Sequence, residues 1–135
     1  MILIAEDILI NQKVIQAVLR MNNYEATIVE NGAEAVDYFQ NTKPELILMD
    51  ISMPVMNGYD ATREIRLIEK KFELHTPIIA VTAHGTTKDK ELCIQSGMDS
   101  IILKPIVPED LLRAISDWLV GPMKRHLSDT PTLRA

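Results

Sequence analysis

Five short apolar runs recur along the chain, separated by longer stretches in which apolar residues return every three or four positions. The runs cover residues 2–5, 26–29, 46–49, 78–81 and 101–103. Each run predicts a β-strand, and the spacing between runs predicts an amphipathic helix after each strand. The chain therefore predicts a βα unit repeated five times.

The predicted strands are apolar on both faces rather than alternating between apolar and polar residues. This pattern is typical of a parallel sheet covered by helices on each side. Five units are too few for a (βα)8 barrel. The predicted fold class is α/β, a (βα)5 three-layer sandwich with a flavodoxin-like parallel sheet in the strand order 2-1-3-4-5.

Signals for helix ends agree with this division. Asn31 with Glu34 three positions later indicates the start of the second helix, and Pro108 indicates the start of the last one. Gly97 is placed where the fourth helix, predicted over residues 87–96, would stop. That helix has the weakest apolar pattern of the five, with little more than Leu92, Cys93 and Ile94.

Length and composition indicate one folded domain. The chain has 135 residues, of which 47% are apolar and 24% charged, as in ordinary globular proteins. Periodicity ends near residue 120, and the following stretch is rich in polar residues, Pro and Gly. We expect a domain over residues 1–120 and a disordered polar tail or linker over residues 121–135.

Charge and cysteine content exclude several classes of function. The net charge of −5 argues against nucleic acid as a partner, because phosphate binding relies on clustered Lys and Arg. Cys93 is the single cysteine, so no intrachain disulfide forms. The apolar runs are too short to span a membrane, and the first residues, from Ile2 onward, do not have the basic region and cleavage site expected of a signal peptide. We expect a cytoplasmic domain without membrane contact.

The residues at the ends of the predicted strands suggest a phosphoryl-transfer site. Glu6 and Asp7 follow the first strand, Asp50 the third, Thr82 the fourth and Lys104 the fifth. The carboxyl ends of parallel strands meet at one edge of the sheet, where ligands bind. Three clustered carboxylates repel one another unless a cation shares the site, and a set of oxygen ligands suits Mg²⁺.

Within this set, Asp50 on the central strand is the expected nucleophile for an aspartyl phosphate. Lys104 and Thr82 would contribute a positive charge and a hydroxyl donor to the phosphoryl group. Any one of these acids alone is more often a turn residue or a helix cap. The coincidence of all five residues at the predicted strand ends favours the functional interpretation.

These motifs resemble the receiver domain family of response regulators in two-component signalling. The resemblance covers about residues 1–119 and rests on Glu6-Asp7, the segment 50–58 (DISMPVMNG), Val81-Thr82-Ala83 and Lys104-Pro105. Asn11-Gln12 and the sequence after Asp50 are most similar to receivers of hybrid sensor histidine kinases.

The resemblance implies a role for each site residue. Asp50 would be the phosphorylation site. Asp7 and Asp50 would bind Mg²⁺ directly, Glu6 would bind it through water, and the main-chain carbonyl of Ser52 would supply a further ligand. By the same resemblance, Lys104 would pair with the phosphoryl oxygens, Thr82 would be the switch hydroxyl, and the peptide bond before Pro105 would be cis.

The function implied is that of a phosphoacceptor, which takes a phosphoryl group from a sensor histidine kinase or a histidine phosphotransfer domain and then changes conformation. Such a domain catalyses only its own phosphorylation and dephosphorylation, so it is not an enzyme in the usual sense. Whether it forms a homodimer, stands alone or belongs to a longer kinase stays open.

Three positions depart from the family pattern: Ile8 after the acidic pair, Asn57 in the loop after Asp50, and Ile101. Ile101 replaces the aromatic residue that usually moves with the switch hydroxyl, and the role of His84, two residues after Thr82, stays open.

Two alternatives compete with the phosphoacceptor. One alternative is a pseudo-receiver, which keeps the fold as a protein-interaction module without phosphotransfer. The other is a flavin-binding protein, but this chain has Ile8-Leu9-Ile10 where such a protein would carry a Ser/Thr/Gly-rich phosphate loop after the first strand.

Overall fold

The structure is a computed structural model and describes residues 1–119. Strands and helices alternate in the order β1 (Ile2–Ala5), α1 (Leu9–Met21), β2 (Ala26–Val29), α2 (Gly32–Thr42), β3 (Leu46–Asp50), α3 (Gly58–Lys70), β4 (Ile78–Thr82), α4 (Thr87–Ser96), β5 (Ser100–Leu103) and α5 (Pro108–Leu119). The predicted succession of five βα units is confirmed. The tail predicted over residues 121–135 lies outside the described residues, and the boundary at residue 120 stays a prediction.

The five strands form one parallel sheet in the order β2-β1-β3-β4-β5. The predicted flavodoxin-like fold class and strand order are therefore confirmed. The chain moves from β1 outward to β2 and then returns to β3 on the other side of β1. This reversal opens a crevice beyond the carboxyl ends of β1 and β3.

Each face of the sheet packs against its own layer of helices. Leu3 and Ala5 of β1 belong to one apolar cluster with residues of α2, α3 and α4. Ile2 and Ile4 point to the opposite face, where their cluster includes Leu19 of α1 and residues of α5. Because both faces are buried, the strands are apolar at consecutive positions, which is the pattern seen in the sequence.

Capping groups set the limits of the helices. The Asn31 side chain accepts a hydrogen bond from the main-chain N–H of Glu34 at 2.8 Å, so the predicted start of α2 is confirmed. Thr86 caps α4 in the same way, and Gly97 ends α4 with a left-handed φ of 103°. α4 has the weakest apolar pattern of the five helices but begins and ends where predicted, because its two caps, rather than an apolar face, define its limits.

Three strand limits differ slightly from the apolar runs. β3 and β4 each extend one residue further, to Asp50 and Thr82, and β5 begins one residue earlier, at Ser100. Pairing between parallel strands uses main-chain groups and continues through these polar residues.

Within residues 1–119, no helix combines the length and apolar character needed to cross a membrane.

Candidate functional site

Three carboxylates meet at the carboxyl edge of the sheet. Glu6 and Asp7 follow β1, and Asp50 is the last residue of the adjacent strand β3. One carboxylate oxygen from each residue lies within 4.8 Å of the others. Glu6 and Asp50 are only 1% and 4% exposed, whereas Asp7 is more open to solvent at the mouth of the cluster.

Lys104 brings a positive charge to this cluster. It follows β5, and its peptide bond to Pro105 is cis. The ammonium nitrogen Nζ lies 3.0 Å from Oε1 of Glu6 and 3.4 Å from Oδ2 of Asp50. Burial alone would lower the pKa of Lys104, but its hydrogen bonds with both carboxylates and their negative charges raise that pKa above its ordinary value.

The environment of Asp50 disfavours its charged form. Burial and then the negative charge of Glu6 raise the pKa of Asp50 to about 6, although Lys104 acts in the opposite direction. One ammonium group does not compensate for three carboxylates in a buried cluster. The site therefore favours any further cation that the oxygens can hold.

Thr82 lies on the strand next to Asp50. Asp50 is level with Val81 in the β3–β4 pairing, so Thr82 is one residue further along the same edge. Its side chain is buried, and its hydroxyl accepts a hydrogen bond from the main-chain N–H of His84 at 3.1 Å. His84 itself is exposed on the loop before α4.

The loop after β3 forms one wall of an open cleft. The cleft has a volume of about 610 Å³, and its lining includes Asp7, Ser52 and Asn57. The loop turns back sharply, because the main-chain N–H of Gly58 donates to the carbonyl of Ile51 at 2.9 Å. A Cβ atom at Gly58 would overlap the main-chain oxygen of Asp50, so only glycine fits this close approach.

The donor set fits a hard divalent cation. Clustered carboxylate oxygens suit Mg²⁺, which needs few protein ligands because it keeps several of its waters. Oδ1 of Asp7 is shielded from water and has no hydrogen-bond partner among the described residues. A bound cation would satisfy this oxygen and relieve the repulsion between the carboxylates.

Two further contacts hold the acidic turn, and neither was among the sequence predictions. The side-chain Nε2 of Gln12 donates to the main-chain oxygen of Glu6 at 2.7 Å, and the main-chain N–H of Ile8 donates to Oε2 of Glu6 at 3.0 Å. Gln12 lies on the buried face of α1 with Ile15 and Leu19. A polar residue on the apolar face of a helix was the available signal, since buried polar groups need partners.

The family is settled by comparison with known sequences. A family model described as "Response regulator receiver domain" matches residues 2–116. The chain belongs to the response regulator receiver domain family. The predicted resemblance is confirmed over nearly all of the described residues.

Curated relatives place this receiver domain among those of hybrid kinases. It is 42% identical over 134 residues to "Hybrid signal transduction histidine kinase I" of Dictyostelium discoideum. That match covers 96% of this chain but only 8% of the relative. It is 36% identical over 118 residues to the "Sensor protein GacS" of Pseudomonas syringae pv. syringae, covering 87% of this chain and 13% of the relative. The chain thus spans a small part of these curated relatives.

Solved structures agree with the assignment. A receiver domain of a sensor histidine kinase from Pseudomonas aeruginosa, with a magnesium ion coordinated in its active site cleft, is 42% identical. It has a TM-score of 0.80, covering 87% of this chain and 95% of that one. A co-crystal structure of the Saccharomyces cerevisiae histidine phosphotransfer protein Ypd1 with the receiver domain of Ssk1 matches at 30% identity. Its TM-score is 0.81, and the match covers 94% of this chain and 92% of that chain.

Proposed function

We propose that this receiver domain accepts a phosphoryl group on Asp50 from a phosphohistidine, with Mg²⁺ bound beside it. One observation carries the proposal. Three carboxylates lie within 4.8 Å of one another at the carboxyl edge of the sheet, and the ammonium group of Lys104 is 3.4 Å from Asp50. The magnesium ion reported for the Pseudomonas aeruginosa receiver supports the choice of cation.

In the proposed reaction, a carboxylate oxygen of Asp50 forms the new bond to phosphorus while the bond from phosphorus to the donor imidazole breaks. The imidazole keeps the electron pair and takes up a proton. Lys104, already beside Asp50, pairs with the phosphoryl oxygens, and the hydroxyl of Thr82 turns toward them. This movement of Thr82 would convey the phosphorylation state to the surface around α4.

The metal would be held by Asp7, Asp50 and the main-chain oxygen of Ser52, with Glu6 bound to it through water. When bound, Mg²⁺ neutralises the negative charge that accumulates on the transferring phosphoryl oxygens. We propose that the domain acts only on its own phosphoryl group.

Incubation with acetyl phosphate and Mg²⁺ tests this function. We expect intact-protein mass spectrometry to show one added phosphate, which is lost in EDTA and lost in Asp50→Asn. Asp37→Asn removes a carboxylate from the exposed face of α2 and serves as the control, with phosphorylation equal to the parent. A fully folded parent that takes up no phosphate would instead support the pseudo-receiver, and labelling of Asp50→Asn would refute the acceptor assignment.

The start of α1 is the proposed docking surface for the phosphodonor. Exposed apolar side chains follow the acidic turn directly, with Ile8, Leu9 and Ile10 exposed by 48%, 61% and 65%. Val14, one turn beyond Ile10, is 39% exposed. An exposed apolar patch beside a reaction site suits a protein partner, and the Ypd1–Ssk1 complex shows a phosphotransfer protein bound to a similar receiver domain.

Substitutions in this patch separate docking from chemistry. Leu9→Ser and Ile10→Ser should slow phosphotransfer from phosphorylated Ypd1 by about tenfold each, since losing an apolar contact of this size costs about 1–2 kcal/mol. Phosphorylation by acetyl phosphate should be unchanged. Met21→Ser, at the far end of α1 and 82% exposed, is the matched control. Equal slowing by Met21→Ser would place the docking surface elsewhere.

A further inference from the structure

Several contacts to Glu6 hold the acidic turn after β1. The main-chain N–H of Glu6 donates to the carbonyl of Val29 at 3.0 Å, which anchors the beginning of the turn to β2. The carboxylate of Glu6 accepts a hydrogen bond from the main-chain N–H of Ile8 and forms an ion pair with Lys104. These contacts leave the peptide group between Glu6 and Asp7 to be fixed by another donor.

Gln12 is that donor. Its amide nitrogen lies 2.7 Å from the main-chain oxygen of Glu6, and its side chain is only 9% exposed. Its own main-chain N–H donates to the carbonyl of Ile8 at 3.0 Å, which is the first hydrogen bond of α1. The residue therefore joins the acidic turn to the first turn of the helix in a closed ring from residue 6 to residue 12.

The orientation of this peptide group determines the direction of Asp7. Rotation about the peptide plane between Glu6 and Asp7 would swing the carboxylate of Asp7 relative to that of Asp50. The helix itself offers no other side-chain support here, because the N-cap residue Ile8 makes no side-chain capping bond. Groups that orient metal ligands without touching the metal commonly change metal affinity by about 10–100-fold when removed.

We propose that Gln12 is a positioning residue for the metal site, which presets the Asp7 carboxylate by holding the main-chain oxygen of Glu6. The inference rests on the proposed function, because it assumes that the carboxylate cluster binds Mg²⁺. It assigns to α1 a further task beyond its packing in the core and its proposed role in docking the phosphodonor.

Gln12→Met tests the inference, because methionine has similar volume and helix propensity but no donor. Isothermal titration calorimetry should show Mg²⁺ binding about tenfold weaker than in the parent. Urea unfolding in EDTA separates positioning from plain stability, since a structural role alone would lower the unfolding midpoint and leave the Mg²⁺ affinity unchanged. Gln16→Met, one turn further along α1 and beside Arg20 and Tyr24 at the other end of the sheet, is the control with parental affinity.

Gln12→Asn provides a second variant whose shorter amide does not reach the carbonyl, and it should also bind Mg²⁺ more weakly. Parental affinity in both folded variants would overturn the inference while leaving the proposed function intact. A folded parent that binds no Mg²⁺ would overturn the proposed function and this inference together. Equal weakening in Gln16→Met would assign the effect to the helix as a whole and also overturn the role of Gln12.

Discussion

Replacing Asp50 by Asn should make the metal-free protein more stable, although it removes the central residue of the site. Asparagine has the shape of a protonated aspartate and carries no charge. Burial and the charge of Glu6 raise the pKa of Asp50 from 3.8 to about 6, so the charged form is held in the fold at a cost. This rise in the pKa of Asp50 corresponds to about 3 kcal/mol of unfolding free energy. We therefore expect Asp50→Asn to raise the unfolding free energy by about 1–3 kcal/mol at pH 7.5.

The sign of the pH dependence follows from the same shift. Because the folded protein binds this proton more tightly than the unfolded chain, the parent loses stability as the pH rises from about 4 through about 6. Asp50→Asn has no such loss. The difference in unfolding free energy should therefore be near zero at pH 4, grow between pH 4 and 6, and level off above pH 7.

Urea unfolding in EDTA, followed by far-UV circular dichroism and by the fluorescence of Trp118, measures this difference. Trp118 is the single tryptophan and is buried in the core, so its emission reports global unfolding. Asp37→Asn, exposed on α2, should stay within about 0.5 kcal/mol of the parent at every pH. Added Mg²⁺ should stabilise the parent more than the variant and close the gap. An Asp50→Asn protein no more stable than the parent at pH 7.5 without metal would refute the reasoning.

Two further predictions concern the scaffold. Gly58→Ala should lower the unfolding free energy by about 3 kcal/mol, because its Cβ meets main-chain atoms that cannot yield. At Gly85 the three nearest atoms to an added Cβ all belong to the side chain of Leu103, so Gly85→Ala should cost less than half as much, and equal losses in urea unfolding would contradict this. Arg66→Met should cost about 3 kcal/mol at pH 7, since it leaves Asp99 buried without its 2.7 Å cationic partner. Burial raises the pKa of Asp99, but its bonds to His75 and Arg66 lower it more, so this loss should shrink as the pH falls below about 4.

The fold could be predicted almost completely because its signals are local and repeated. Apolar runs buried on both faces indicated the strands, and caps such as Asn31 and Gly97 indicated the helix ends. The site could be located because the carboxyl ends of parallel strands share one edge, which brings Asp7, Asp50 and Lys104 together from distant parts of the chain. Topology alone sufficed for that step.

Contacts that depend on side-chain orientation could not be predicted. The bond from Gln12 to the main chain of Glu6 and the network of Arg66 with Asp99 require knowing where a long side chain points. The sequence indicates that Ile101 stands in place of the family's aromatic residue. Only the structure shows that the Ile101 side chain is half-buried against the apolar cluster that includes residues of α3 and α4. Sequence spacing gives the face of an element, whereas packing decides which atoms meet across it.

Two networks of charged side chains among residues 1–119 lie at opposite ends of the sheet and differ in how far cations compensate their carboxylates. Before β4 and β5, Arg66 makes ion pairs with Glu69 and Asp99, and these acids also accept main-chain N–H donors. At the carboxyl ends, Lys104 is the one cation among residues 1–119 that pairs with the cluster of three carboxylates, through Glu6 and Asp50, and the charged form of Asp50 is disfavoured. A ligand stabilises a folded protein when it compensates charges that the free protein leaves uncompensated. The proposed affinity for Mg²⁺ would therefore derive from this imbalance of charge. A receiver domain with a fully compensated acidic cluster would be more stable, but it would have little free energy to gain from metal binding.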